Sequence, residues 1–385
     1  MAEPADAIFV DGEIHVRPGS DRIEEALAVR DGTVCRVADT YEVEFLEGIE
    51  TRRVDLAGRT VLPGFVDGHA DLSRVGKRLD ESGKAGERSA PAGIEQARDV
   101  LMAALDDALE QGVTTVSDAV RNSETARAYH ELARAEELPI RTRLNYREDA
   151  GSVESPAPLD AATRLGLGSD VGTGRLCLES LGVDVDDGSA NFVKNFLRRS
   201  TESDFRVSVT VDDPAALSPL LSALDGSDVT RPRIWLGGAV SDEQVPRLAG
   251  LGATVVGNPG SGSTTGGRNP GEVGAGETRG LQFGRLVAAG VPVAFGSNGR
   301  RPIPLRSIER ATGASPEDRL GVTEAVRAAT GGTGPPATPE SGTGTLDAGT
   351  SADFVALSAS PWETPIGQLD VELTVVDGTI EYDPS

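Results

Sequence analysis

Short runs of β-favouring residues, punctuated by Asp-Gly pairs, dominate the first sixty positions of the chain. Ala7–Val10 precedes Asp11-Gly12, and Ala26–Val29 precedes Asp31-Gly32 and the run Thr33–Val37. An Asp-Gly pair between two such runs is a strong hairpin signal, because both central residues of the tight turn take positive φ. The last forty residues show the same pattern, with Ala352–Leu357, Glu372–Val376, Asp377-Gly378 and then Thr379–Tyr382. Neither end has enough strands to close a sandwich alone. Together they do, so residues 1–62 and 345–385 are expected to build one small β-sandwich.

Between the ends the pattern alternates. Strands are predicted at Thr60–Val66, Val113–Ser117, Ile140–Asn145, Arg175–Leu181, Phe205–Val211, Arg233–Leu236, Ala253–Val256 and Val291–Phe295. Helical stretches fall between most of them, at Gly93–Glu110, Ser123–Glu136, Asn191–Ser200 and Asp242–Gly250. The clearest helical stripe is Leu101, Ala104, Leu105, Ala108 and Leu109, which keeps one face of a 3.6-residue period apolar. Strand–helix units of about 35 residues over positions 63–335 predict an α/β fold, a (β/α)8 barrel. Two segments break the rhythm. Gly257–Gly280 holds nine glycines and reads as a loop after the seventh strand, and Gly331–Gly344 reads as a linker back to the C-terminal strands.

Charge narrows the partners. Lys and Arg number 37 against 61 Asp and Glu, a net charge of −24. Such a surface repels a phosphate backbone, so no nucleic acid is expected. Arginine supplies all but three of the basic residues, the lysines being Lys77, Lys84 and Lys194. Acid surplus with so little lysine resembles cytoplasmic proteins of salt-accumulating halophiles. The longest apolar stretch, Leu286–Phe295, is far too short to span a bilayer, and the acidic start lacks a signal-peptide charge. A cytoplasmic protein with no membrane partner is expected. Cys35 and Cys177 are too few for a disulfide framework.

The run Thr60-Val61-Leu62-Pro63-Gly64-Phe65-Val66-Asp67-Gly68-His69 closely resembles the first barrel strand of the amidohydrolase superfamily. Further pieces follow in the family's order: Gly112–Val116, Asp187-Gly188-Ser189, Ala289–Val293 with Gly296-Ser297, and Ala352–Val355. The resemblance spans nearly the whole chain. It implies a TIM barrel beside a sandwich, and metal-assisted hydrolysis in which one or two ions, usually zinc, activate a water. In that family the ligands are two histidines on strand one, a lysine on strand four, histidines on strands five and six, and an aspartate on strand eight.

Few of these carry over. His69 matches the first histidine, whereas Asp71 stands at the second. Gly182-Val183-Asp184 puts an acid at the lysine position, and the fifth- and sixth-strand histidines fall near Thr210 and Leu236. Asn298 stands at the catalytic aspartate, and a neutral amide has no basic form with which to take a proton. The chain has three histidines, and His15 and His130 fall in the sandwich and on a helix.

No cofactor is therefore expected; the alternative is a single divalent metal such as zinc at His69 and Asp71. Asp184, Asp186 and Asp187 could gather a hard cation, but in so acidic a chain they read as solvated surface. Asp118 is open to either reading. The glycine-rich run, with Arg268 and Arg279, could cradle an anion but matches no phosphate loop and reads as a floppy loop. Cys177 has no partner for nucleophilic chemistry.

Three functional readings follow. The first is a pseudo-hydrolase that binds a small molecule or partner in the barrel mouth. The second is an active hydrolase of non-peptide C–N bonds with a mononuclear site. The third is a structural subunit of an oligomer, made of copies of this chain or of an active relative. Ligand count favours the first.

If the charge is an adaptation to salt, stability rises with salt, because at molar concentration the screening length falls to about 3 Å. Thermal unfolding from about 0.1 M to roughly 3 M KCl is expected to show a climbing midpoint. A flat or falling midpoint contradicts that origin.

Overall fold

A computed structural model describes residues 3–80, 93–148, 168–185, 190–203, 205–259, 280–316, 318–332 and 343–384. Most of the glycine-rich run with Arg268 and Arg279, most of the linker before Gly344, and Asp186 to Ser189 lie outside the described residues.

Both chain ends enter one sandwich. A four-stranded sheet runs in the order Thr33–Ala38, Ala26–Arg30, Ala7–Val10, Arg52–Asp55. A six-stranded sheet joins Thr379–Tyr382, Val371–Val376 and Phe354–Leu357 to Thr60–Pro63, Glu13–His15 and Ile23–Glu24. The splice between the ends is an antiparallel pairing in which Val355 faces Leu62 and Ala356 faces Val61. Alternation along these strands sends Phe9, Leu27, Leu56, Val61, Phe354 and Val375 into a common core. Phe9 and Phe354 meet edge-to-face at 4.9 Å, so one residue from each end anchors that core.

The strand predicted as Thr60–Val66 divides at Gly64. Thr60–Pro63 belongs to the sandwich and Phe65–Ala70 becomes the first barrel strand. At the break, the Gly64 N–H donates to the Asp353 carbonyl at 3.0 Å, which ties the turn to the C-terminal segment.

Strands two to eight of the barrel are Val113–Val120, Arg141–Glu148, Leu176–Val185, Val207–Val211, Arg233–Leu236, Thr254–Gly257 and Val293–Phe295. They pair in parallel and in sequence order, with helices between most of them among the described residues, as a nearly closed (β/α)8 barrel. Helices Ile94–Glu110, Ser123–Arg134 and Ala190–Glu202 lie close to where the apolar stripes predict them. The seam between strands eight and one is held otherwise. Asn298 N–H donates to the His69 carbonyl at 2.8 Å, and one Asp67 oxygen accepts from the N–H of Ser297 at 2.9 Å and of His69 at 3.2 Å. The chains approach so closely here that a Cβ on Gly296 would lie 2.9 Å from the His69 nitrogen.

Ion pairs fasten the floor of the barrel to the C-terminal strands. Arg141 reaches Asp353 at 2.9 Å and Asp377 at 2.5 Å, and Arg175 reaches Asp377 at 2.9 Å and Glu381 at 2.6 Å. Among the described residues no helix is long and apolar enough to cross a membrane.

Candidate active site at the barrel mouth

Strand alternation gives the barrel two very different faces. Val116, Leu144, Val183, Val209, Ile234, Val255 and Val293 pack outward against the helices. The residues between them turn inward and are mostly polar: Ser117, Arg143, Asn145, Arg147, Asp184, Ser208, Thr210, Arg233 and Trp235. Low in the barrel, Glu179 gathers the charges. It accepts from Arg233 at 2.8 Å and Ser117 at 2.5 Å, and lies 3.6 Å from Arg143. Burial pushes the Glu179 pKa up, but the two guanidiniums outweigh it, so the group stays ionised.

At the mouth the organising group is Arg147. Its guanidinium is buried, with an Nη2 that donates to Asp184, to Thr210 Oγ1 and, at 3.0 Å, to the Val183 carbonyl. A Cβ on Gly182 would lie 2.2 Å from Arg147 Nη1, so only glycine leaves room for it. Arg121 holds the same carboxylate from the rim, 2.5 Å from Asp184. Partial burial works against ionisation of Asp184, but Arg147 and Arg121 hold it well below the usual carboxylate range. Expected as solvated surface, Asp184 is the centre of an ion triad.

His69 sits beside this triad, fully buried. Its ring stacks on Trp235 with centroids 5.1 Å apart, and Nε2 lies 3.5 Å from Thr210 Oγ1. Burial, then the nearby Arg147 charge, pushes His69 well below the ordinary imidazole value, so the ring is neutral. Asp71 lies at the edge of the triad, with one carboxylate oxygen 3.9 Å from Arg121. It accepts from Ser73 Oγ at 3.0 Å and from the Arg74 N–H at 3.2 Å, capping the helix Leu72–Asp80. Asn298 takes a left-handed backbone, φ 48°, and its evident contribution is the seam hydrogen bond. Thr210 faces the site as expected. On strand six Leu236 packs outward and Trp235 is the residue that faces His69.

The outlying candidates fall outside the mouth. His15 lies in the sandwich, stacked on Trp362 and bonded to Glu13 at 2.6 Å. His130 is exposed on its helix. Burial pushes the Cys177 thiol up, away from the thiolate a nucleophile needs. Among the described residues, no group of three or more His, Cys, Asp or Glu side chains is placed to hold a metal ion. The donors do not fit the family's metal: the one histidine lies beside the Arg147 charge, and Asp71 gives one oxygen to the helix it caps and the other to Arg121 at 3.9 Å.

Arg147, Trp235 and Asn145 are the site residues that motif reading misses. The signal for two of them is the alternation Arg143-Leu144-Asn145-Tyr146-Arg147, three polar residues at period two on a strand whose other face is apolar. Both amide atoms of Asn145, two nitrogens of Arg147, the Ser208 hydroxyl and the Trp235 indole N–H are buried without hydrogen-bond partners among the described residues. These are the groups that a polar ligand or water would satisfy.

The family model for the amidohydrolase family matches residues 80–382, and the chain belongs to that family. Its sequence is similar to the imidazolonepropionase of Halobacterium salinarum, 32% identical over 159 residues, which is 38% of this chain and 37% of that protein. It is also similar to the dihydroorotase of Anaeromyxobacter sp. strain K, 35% identical over 91 residues, 23% of this chain and 20% of that one. The matches thus span well under half the length of these relatives. In fold it resembles an uncharacterized metal-dependent hydrolase from Pyrococcus horikoshii, with a TM-score of 0.75, 15% identity, and coverage of 94% of this chain and 99% of that one. Atrazine chlorohydrolase from Arthrobacter aurescens, complexed with zinc, gives 0.73 at 18% identity, covering 98% of this chain and 95% of that one.

One buried acid near the mouth belongs to the scaffold. Asp118, on strand two, accepts from the Leu72 N–H and from the Tyr129 hydroxyl, both at 2.8 Å, and so joins the start of the helix Leu72–Asp80 to the helix Ser123–Arg134. Burial, with the Asp71 charge nearby, raises its pKa from 3.8 to about 7. The folded chain therefore keeps a proton that the unfolded chain releases. Stability from this group is full below about pH 4 and is lost as pH rises through about 7, by at most about 4 kcal/mol. Asp118→Asn, which mimics the protonated acid, is expected to flatten that part of the profile in urea unfolding at several pH values. Parallel profiles for the two proteins contradict the assignment.

Proposed function

We propose that this amidohydrolase-family chain binds a small molecule in its barrel mouth without the family's metal-dependent hydrolysis. The observation that carries the reading is the Arg147 guanidinium, seated on Asp184 and Thr210 beside a neutral His69. A fixed positive charge at that point balances Asp184 and repels a divalent ion. A hydrolytic zinc takes about three protein ligands and an open position for water, and here His69 and one oxygen of Asp71, which faces Arg121 at 3.9 Å, are the donors at hand. Asn298, at the position of the family's proton acceptor, has no basic form. The relatives' names favour the alternative, hydrolysis of C–N bonds at a single-ion site of His69 and Asp71. The turn of Asp71 toward Ser73 and Arg74 counts against it.

Protein purified without chelators tests the proposal. Zinc, manganese, iron and nickel are expected far below one per chain, and unchanged in His69→Ala. Imidazolonepropionate and dihydroorotate, the compounds that the relatives' names give, are expected to survive incubation with added zinc or manganese. Near-stoichiometric metal that disappears in His69→Ala, or turnover of either compound, overturns it.

A further inference from the structure

A cavity of about 230 Å³ opens between the ends of barrel strands seven and eight and the helix Pro304–Thr312. Its apolar wall includes Phe295 and Ile303, and its basic wall is Arg300, Arg306 and Arg310. In a chain of net charge −24, most arginines have acidic partners: a fourth arginine of the lining, Arg301, pairs with Asp107 at 2.6 Å. Arg300, Arg306 and Arg310 form no salt bridge with any described residue. They also disfavour one another: burial, then the Arg306 and Arg300 charges, lowers the pKa of Arg310 against a smaller opposing effect of Glu309.

Three exposed like charges on one wall, offset only in part by Glu309, are a cost that a bound anion lowers. Two further features point the same way. The helix begins at the cavity with Pro304, and the residue before it, Ile303, offers no side-chain acceptor to the first-turn N–H groups. Uncapped N–H groups and the positive end of the helix dipole favour an anion. Ser297 is 3% exposed in the lining, and its hydroxyl stands beside Asp67 without a well-formed hydrogen bond. Asp67 is the one acidic side chain in the lining, and one of its oxygens is taken by the N–H groups of His69 and Ser297.

We propose that this cavity is an anion-binding site for a small molecule with an apolar body and a phosphate or carboxylate head, the head held by Arg300, Arg306 and Arg310. The proposal deepens the small-molecule reading above, but it does not rest on the loss of hydrolysis. The volume is at the small end for ligand sites, which run from about 300 to 1,000 Å³, and suits a single-ring compound.

Isothermal titration of the intact chain with phenyl phosphate, benzoate and the neutral benzamide tests it. At least one of the two anions is expected to bind with a dissociation constant of about a millimolar or tighter, and benzamide far more weakly. The tighter anion identifies the head group. Arg306→Ala and Arg310→Ala are each expected to weaken binding at least about tenfold, while Arg301→Ala leaves it within about threefold. Without ligand, the Arg306 and Arg310 variants are expected to melt no lower than the parent, because each relieves repulsion. That readout separates loss of the site from loss of the fold. Binding of neither anion, equal binding of benzamide, or unchanged affinity in both alanine variants overturns the proposal. A metal-bearing, active protein that still binds the anion through these arginines would sink the pseudo-hydrolase reading and leave this one standing.

Discussion

The contact between the buried Arg147 guanidinium and Asp184 sets the character of the barrel mouth. Taking a guanidinium out of water costs several kcal/mol, and the cost is offset only where a carboxylate and further acceptors are in place. Here the Val183 carbonyl and Thr210 complete the set, Gly182 leaves the space, and Arg121 doubles the positive charge on Asp184. The rest of the site answers to that charge. His69 stays neutral beside it, stacked on Trp235, and Asp71 divides its oxygens between a helix cap and Arg121. Removing Asp184 alone would strand a buried cation, a change that ordinarily costs about 3–5 kcal/mol. The pair is therefore structural.

The scaffold stands largely apart from the mouth. The sandwich core depends on Phe9 from one end and Phe354 from the other, and the barrel floor on Arg141 and Arg175 reaching the C-terminal strands. None of these contacts involves the residues of the mouth. The seam does: His69 gives its carbonyl to Asn298 and its N–H to Asp67. Those groups hold the barrel edges together through backbone atoms of His69, whatever its ring does chemically. A seam of this kind keeps its geometry when side-chain chemistry at the mouth changes.

Much of the fold is legible in the residues alone. Asp-Gly turns mark the hairpins at both ends, and the apolar stripe from Leu101 to Leu109 marks a helix that the structure places at Ile94–Glu110. The eight barrel strands lie close to their predicted positions, because each outward face is a plain period-two apolar run. The first is the exception, since a continuous β-rich run from Thr60 does not reveal that Gly64 ends one sheet and begins another. The site is less legible. Motif matching looks for what a family places on a strand, so it finds His69 and the substituted positions. It does not find Arg147, which is on strand three and meets Asp184 only through the register that sets Arg147 opposite Gly182. Likewise Trp235 and Leu236 are adjacent in sequence, and only strand pairing decides which one faces inward.

If an arginine rather than a metal ion supplies the positive charge at the mouth, zinc has no place to bind there. Diffraction at the zinc absorption edge, from crystals grown with excess zinc, tests this most directly. The predicted result is density for the Arg147 guanidinium between Asp184 and Thr210, and no anomalous peak at His69. An anomalous peak ligated by His69, with Arg147 swung away from Asp184, would contradict it.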